Sequence, residues 1–174
     1  MSDGEETPDG FSFAGIAAGL KDSKKKDLAL ILAPENSICS GLFTQSIVRA
    51  SCVDICEQKI KKSSGLIRAI LINSGQANAC TGDFGIQHTL IATKKVSKLL
   101  GINEEEVLMC STGVIGIPIQ IKNLIHNLPN LVKDLETNSL QNAAEAILTT
   151  DLVDKKTTIA VSYTHLTLPT NREV

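Results

Sequence analysis

The strongest constraint on the fold is an alternation of buried strand and amphipathic helix in the middle of the chain. Residues 67–73 (IRAILIN) are apolar and rich in β-branched side chains, which predicts a buried strand. Residues 85–100 repeat apolar side chains at helical spacing on one face, and Gly101 is a typical helix end. Residues 107–111 again predict a strand. This order predicts a sheet with at least one helix packed on it.

The segments before this unit predict further strands and a short helix. Residues 27–34 (DLALILAP) and 37–44 (SICSGLFT) are predicted strands, and we expect them to form a hairpin around Pro34-Glu35-Asn36. The polar segment 54–62 predicts a short helix. Residues 11–21 are rich in glycine and alanine and give no clear prediction.

The segments after it predict more helix. Residues 119–135 predict one or two helices interrupted at Pro129, and residues 138–148 predict another, with Asn138 or Ser139 as the N-cap. Asn103 and Glu106, just before the strand at 107–111, have the spacing of a capping box. Because strands and helices alternate only in part, the sequence predicts a mixed α/β or α+β layered fold.

Composition restricts the partners. A chain of 174 residues suits one domain, and its net charge of -2 argues against nucleic acid, which needs a basic surface. No apolar run approaches the length of a membrane span. The five cysteines include no CxxC pair, so we expect reduced, buried thiols, no metal site and a cytoplasmic protein. Cys52 and Cys56 are spaced to share a helix face.

Two strand ends are followed by turns made of small residues, at positions 73–82 (NSGQANACTG) and 111–116 (STGVIG). Glycine lets backbone amides approach a ligand closely. Thr112 and Gly113 could therefore direct a hydroxyl and an amide at the oxyanion that forms when a nucleophile attacks a carbonyl. Serine, threonine and glycine also make ordinary tight turns, and residue chemistry alone leaves both interpretations open.

Several motifs, in order along the chain, resemble the ornithine acetyltransferase (glutamate N-acetyltransferase) family. NSGQANACTG resembles that family's NSGNANACTG, with Gln76 in place of the usual Asn, and STGVIG matches its second signature. AILTTD, at residues 146–151, resembles its AIMTTDT segment. GFSFAGIAAGLK, DLALILA and GLFTQSIVRA fit the family's opening in order and spacing. The resemblance covers residues 10–160.

The resemblance implies a fold and a reaction. The expected fold is a layered αββα-type sandwich, similar to N-terminal-nucleophile-like enzymes. The family's precursor cleaves itself before a threonine, which becomes the nucleophile activated by its own α-amino group. It moves acetyl from N-acetylornithine to glutamate in arginine biosynthesis, and some members also use acetyl-CoA; no other cofactor is implied. The α and β chains then stay together, usually as a heterotetramer.

The resemblance also assigns residues. Thr112 and Gly113 match the family's oxyanion-hole pair, and Thr149 matches a substrate-binding threonine, with Thr150 as the adjacent alternative. After Asp151 this chain departs from the family's Thr and Pro-Lys and reads LVDK, which changes the local contacts. The family's KGxGM segment and its nucleophilic threonine do not occur in the sequence. We therefore interpret residues 10–160 as the α-chain portion of a truncated fold that is inactive alone.

The two ends of the chain differ from this central part. Residues 1–9 are acidic and predict a disordered lead-in. Residues 161–174 (VSYTHLTLPTNREV) differ in style from the rest and resemble a translated sequencing-adapter read-through, so we interpret them as a non-native tail.

Two alternative functions stay open at this stage. One is a related self-cleaving aminopeptidase or amide hydrolase, in which water replaces glutamate as the acceptor. The other is a non-catalytic module that uses its glycine turns to bind a small ligand.

Overall fold

Four strands form one sheet in the order β1-β2-β3-β4. The computed structural model describes residues 7–136 and 140–158. The strands are β1 (Ser12–Ile16), β2 (Leu28–Leu32), β3 (Ala69–Gln76) and β4 (Val107–Val114). β1 pairs with β2 and β2 with β3 in antiparallel fashion, whereas β3 and β4 are parallel. The predicted tail, residues 1–6 of the predicted lead-in, and the predicted caps Asn138 and Ser139 lie outside the described residues.

Helices connect and cover these strands. They are α1 (Ser51–Lys62), α2 (Gly82–Leu100), α3 (Ile121–Lys133) and α4 (Leu140–Ala146). α2 is the crossover that a parallel strand pair requires, and it ends at Gly101, which has a left-handed φ of 68°. The predicted helix at 85–100 and the strands around it are therefore confirmed. α3 continues through Pro129 as one helix, because Leu124, Leu128 and Leu131 are buried along one side of it.

The predicted hairpin between residues 27–34 and 37–44 is wrong. β2 pairs with β1, and the second segment contributes only an isolated bridge between Ile38 and Leu66. The small residues of β1 have a packing reason: a Cβ on Gly15 would lie 2.0 Å from the backbone oxygen of Asn142. β1 is poor in β-branched residues because α4 crosses it closely, and this composition hid the strand in the sequence.

The two faces of the sheet carry separate apolar clusters. One face packs on α2 and α3 and forms the larger core, with Leu30, Leu71 and Met109 among its fully buried members. On the other face, Phe13 and Ala29 pack against α4. The α+β class is confirmed, and the described residues form one sheet with helices packed on both of its faces.

Side chains of α1 contact the outer edge of β4. Lys59 Nζ donates to the backbone oxygen of Val107 at 3.0 Å, and Cys56 Sγ donates to that of Met109 at 3.2 Å. Cys52, one turn earlier, is buried on the same face of α1. Four helical residues rise about 6 Å and two strand residues about 6.6 Å, so successive turns of α1 match alternate residues of β4. α1 thus covers a strand edge that would otherwise be open.

This arrangement also accounts for the cysteines. All five are unpaired, as predicted, and Cys52 and Cys56 share a buried helix face. The prediction that all the thiols are buried is wrong, because Cys80 and Cys110 are exposed and Cys39 is half-buried.

Candidate functional site

The two predicted turns begin as strand. The β3–β4 ladder continues through the small residues, with Ser74 opposite Thr112 and Gly75 opposite Gly113. Thr112 is half-buried and Gly113 is exposed. Because β3 and β4 are parallel, both motifs lie at the same carboxyl edge of the sheet, where ligands bind in many α/β folds.

The alternation of β4 places the Gly113 amide on its outer edge. The backbone oxygens of Val107 and Met109 face α1, away from β3, whereas that of Val114 accepts from Ala77 N at 2.9 Å, toward the β3 side. Residue 113 has the same parity as 107 and 109, so its N–H points outward as well. The alternation therefore directs this donor away from the ladder with β3.

Glycine is required at positions 75 and 113, which lie opposite each other in the β3–β4 ladder. Gly113 has φ 132°, and a Cβ there would lie 2.4 Å from the carbonyl carbon of Gly75. Gly75 has φ 118°, and its Cβ would lie 3.0 Å from both the backbone oxygen of Leu20 and Cγ of Lys21. The two glycines let three backbone segments meet at the carboxyl edge of the sheet.

The second half of the first motif has a structural role. Asn78 is fully buried, with Nδ2 donating to Thr89 Oγ1 at 2.9 Å and to the backbone oxygen of Gly85 at 3.2 Å. Its Oδ1 accepts from the Thr81 hydroxyl at 3.1 Å. These bonds organise the first turns of α2, so Asn78 and Thr81 position the helix rather than a ligand.

The segment that carries Thr149 approaches the same edge. Ser74 Oγ donates to the backbone oxygen of Ala146 at 2.5 Å, and Lys21 Nζ donates to that of Leu148 at 2.9 Å. Thr149 is exposed and lines an open cleft of about 560 Å³ together with Lys21. We call Lys21, Ser74, Gly75, Thr112, Gly113 and Thr149 the strand-end cluster. The structure therefore brings the segments of all three predicted site residues to one edge of the sheet.

A buried aspartate fixes the loop that carries Lys21. The Asp27 carboxylate accepts from the amides of Ala18 and Leu20, both at 2.6 Å, and from that of Lys21 at 3.0 Å. The backbone oxygen of Asp27 accepts from Ser74 N at 2.8 Å. Sequence reasoning missed Asp27, and the available signal was a charged residue directly before a strand that is buried on both faces.

The electrostatics of Lys21 reflect its location. Partial burial lowers the pKa of Lys21, the Asp27 carboxylate opposes that effect, and Lys25 adds to it. Gln76, which replaces the Asn of the related motif, donates from Nε2 to the backbone oxygen of Leu20 at 2.6 Å. The glutamine at position 76 thus connects the loop that carries Lys21 to β3 by a hydrogen bond.

Comparison with known proteins agrees with this geometry. The protein-family model described as "ArgJ family" matches residues 12–169 of the sequence. The chain belongs to the ArgJ family. The arginine biosynthesis bifunctional protein ArgJ of Prochlorococcus marinus subsp. pastoris is 93% identical over 159 residues, and that of Parasynechococcus marenigrum is 52% identical over 156. The matches cover 91% and 90% of this chain but only 40% and 38% of those proteins.

Two solved structures share the fold. The ornithine acetyltransferase of Mycobacterium tuberculosis, solved with ornithine, superposes with a TM-score of 0.81 at 35% identity, covering 86% of this chain and 81% of the solved one. The ArgJ protein of Bacillus halodurans gives 0.78 at 32% identity, covering 83% and 75%. The ArgJ fold is of the N-terminal-nucleophile type, as the sequence motifs predicted. None of the helices among the described residues is both long and apolar enough to cross a membrane.

Proposed function

We propose that the full-length protein containing this chain transfers acetyl from N-acetylornithine to glutamate, through an acyl-threonine intermediate whose threonine lies beyond this chain. The observation that carries the proposal is the place of Thr112 and Gly113 at the carboxyl edge of the sheet, where the alternation of β4 turns the Gly113 amide away from β3 and where the Thr149 segment also lies. The names of the ArgJ relatives and of the solved ornithine acetyltransferase support the same reaction.

The chemistry assigned to the pair is oxyanion stabilisation. When the nucleophilic threonine attacks the acetyl carbonyl, its electron pair forms a new C–O bond and the carbonyl oxygen becomes negative. The Gly113 N–H and the Thr112 O–H would donate to that oxygen. Removing one such donor lowers kcat by about 10²–10³-fold, which corresponds to about 2.7–4 kcal/mol. Thr149, in the cleft that Lys21 also lines, would bind the amino-acid part of the substrate.

The remaining parts of the enzyme belong to a second chain. The matched segment fills 81% of the solved Mycobacterium chain but 40% of the curated Prochlorococcus protein, which supports a polypeptide divided in two. Val114, Ile115 and Ile117 are large apolar side chains exposed just beyond Gly113, and they suit contact with a β chain. In this proposal the two chains assemble as a cytoplasmic heterotetramer, and residues 1–174 alone are inactive.

The test is Thr112→Ala in the full-length protein, with Thr44→Ala as the control. Thr44 is exposed and outside the strand-end cluster. We expect Thr112→Ala to lower kcat by about 10²–10³-fold with little change in KM, and Thr44→Ala to match the unmodified protein. Kinetics are measured on cleaved protein, verified by denaturing electrophoresis. A kcat within about twofold of the unmodified value would refute the oxyanion role.

The acceptor and donor are tested in the same assay. Acetyl transfer should depend on glutamate and yield N-acetylglutamate, whereas a self-cleaving amide hydrolase would release acetate at a rate independent of glutamate. Replacing N-acetylornithine by acetyl-CoA tests the second donor, which some ornithine acetyltransferases use. Absence of transfer from either donor in the unmodified protein would refute the proposed function.

A further inference from the structure

We propose that Lys21 is a positioning residue, which holds the Leu148–Thr149 peptide at the carboxyl edge of β3 and so orients Thr149 toward the substrate. This inference rests on the proposed function, and it adds a residue that neither the sequence motifs nor the oxyanion pair includes.

The loop that carries Lys21 is held by two buried side chains, Asp27 and Gln76. The Asp27 carboxylate accepts from the Lys21 amide and from those of Ala18 and Leu20, and the Leu20 oxygen accepts from Gln76. Asp27 itself is completely buried. Charge-assisted hydrogen bonds of this kind are stronger than neutral ones, so the loop provides a rigid base for the lysine side chain.

The side chain of Lys21 then crosses the carboxyl edge of the sheet. Its Cγ lies 3.0 Å from the position that a Cβ on Gly75 would occupy, so glycine at that position makes room for the lysine stem. Its Nζ reaches the backbone oxygen of Leu148 at 2.9 Å. That oxygen belongs to the peptide bond between Leu148 and Thr149. The ammonium group of Lys21 therefore fixes the orientation of this peptide plane, from which the Thr149 side chain projects.

Other side chains attach α4 itself, and they allow the positioning of Thr149 to be distinguished from the attachment of this helix. Ser74 Oγ binds the Ala146 oxygen, and Lys26 Nζ binds Asn142 Oδ1 at 2.6 Å and Glu145 Oε2 at 2.8 Å. Lys26 therefore attaches the body of α4, whereas Lys21 contacts the segment after the helix end. Both lysines line the cleft of Thr149, so Lys26 is a matched comparison that differs from Lys21 in the part of the chain it binds.

The experiment is a double-mutant cycle in the full-length, cleaved protein, with N-acetylornithine as the varied substrate and glutamate saturating. We expect Lys21→Met and Thr149→Ala each to lower kcat/KM by about tenfold, mainly through KM, and the double variant to be within about twofold of Thr149→Ala alone. Lys21→Arg, which keeps a cationic donor, should recover kcat/KM to within about threefold of the unmodified protein. Thermal melting confirms that each variant is folded.

Lys26→Met supplies the comparison. It should lower the melting temperature, and its effect on kcat/KM should multiply with that of Thr149→Ala, because it acts on the helix body. The positioning role is overturned if the effects of Lys21→Met and Thr149→Ala multiply, if Lys21→Arg gives no recovery, or if Thr149→Ala has no effect. Each of these outcomes leaves acetyl transfer by the unmodified protein intact, whereas failure of the proposed function removes that activity itself.

Discussion

Replacing Gly113 by alanine tests the close contact between the two strand ends. The residue has φ 132°, a conformation that L side chains rarely adopt and that costs about 1–3 kcal/mol. The added Cβ would also lie 2.4 Å from the carbonyl carbon of Gly75 and 2.5 Å from its oxygen. Carbon atoms normally stay about 3.5–4.0 Å apart, so β3 and β4 must separate by about 1 Å.

The expected loss of stability is the sum of these two effects. Overpacking at a well-packed site costs about 1–3 kcal/mol, so Gly113→Ala should destabilise the fold by about 2–6 kcal/mol. Gly116→Ala is the matched control, because Gly116 also has a positive φ, 82°, but no atom lies within 4 Å of its would-be Cβ. Backbone strain alone should cost about 1–2 kcal/mol there.

The assay is urea denaturation of the two variants and the unmodified protein side by side, followed by acetyl-transfer kinetics. Gly113→Ala should be clearly less stable than Gly116→Ala and should also lower kcat, because the amide of residue 113 moves with the strand. Equal denaturation midpoints for the two alanine variants would refute the inference that the strand ends are in close contact. A stable Gly113→Ala variant with unchanged kcat would in addition refute the oxyanion assignment.

Three further substitutions test contacts outside the oxyanion pair. Asp27→Asn should cost about 2–4 kcal/mol in the free energy of unfolding, because an amide nitrogen would face backbone N–H donors; a neutral result by urea denaturation contradicts that network. Lys59→Met should cost about 2–4 kcal/mol, since it leaves buried acceptors such as Thr93 Oγ1 and the Val107 oxygen without their donor. Burial lowers the pKa of Lys59, so between that lowered pKa and 10.5 the unfolded chain binds more protons than the folded chain. The stability that Lys59 contributes should therefore rise with pH across this window. A loss of unfolding free energy in Lys59→Met that becomes smaller as pH rises there would contradict the lowered pKa. Interaction with the Cys110 thiol lowers the pKa of Cys56 and raises that of Cys110, so Cys110→Ala should shift the lowest-pH step of the thiolate absorbance to higher pH; an unchanged titration would contradict this interaction.

The sequence predicted the central unit because each of its elements carries a local pattern. β3, α2 and β4 are recognisable from β-branched runs, a helical face and Gly101, none of which depends on distant residues. β1 lacks such a pattern, because its small residues are required by close packing against α4, which lies more than 100 positions away in the chain. The false hairpin at 37–44 arose for the same reason: an apolar segment near a strand was paired with it by proximity in sequence.

The candidate site divides in the same way. Thr112 and Gly113 could be selected from a motif, and the structure adds the reason that glycine is needed there. Lys21 and Asp27 could not be selected, because a lysine in a glycine-rich segment and an aspartate before a strand are common. Their significance depends on contacts with Gly75, Ser74 and Leu148, which only the folded chain brings together.

The outer edge of β4 shows how one strand serves both stability and chemistry. α1 provides hydrogen-bond donors for β4 at Val107 and Met109, where an open edge would invite pairing with another chain. Further along the same edge, past Ser111, the outward-facing residue is Gly113, beyond the first residues of the helix. A longer α1, extended before Ser51, would cover that amide and leave no donor for an oxyanion. The start of α1 therefore sets the boundary between the covered edge and the amide available to substrate.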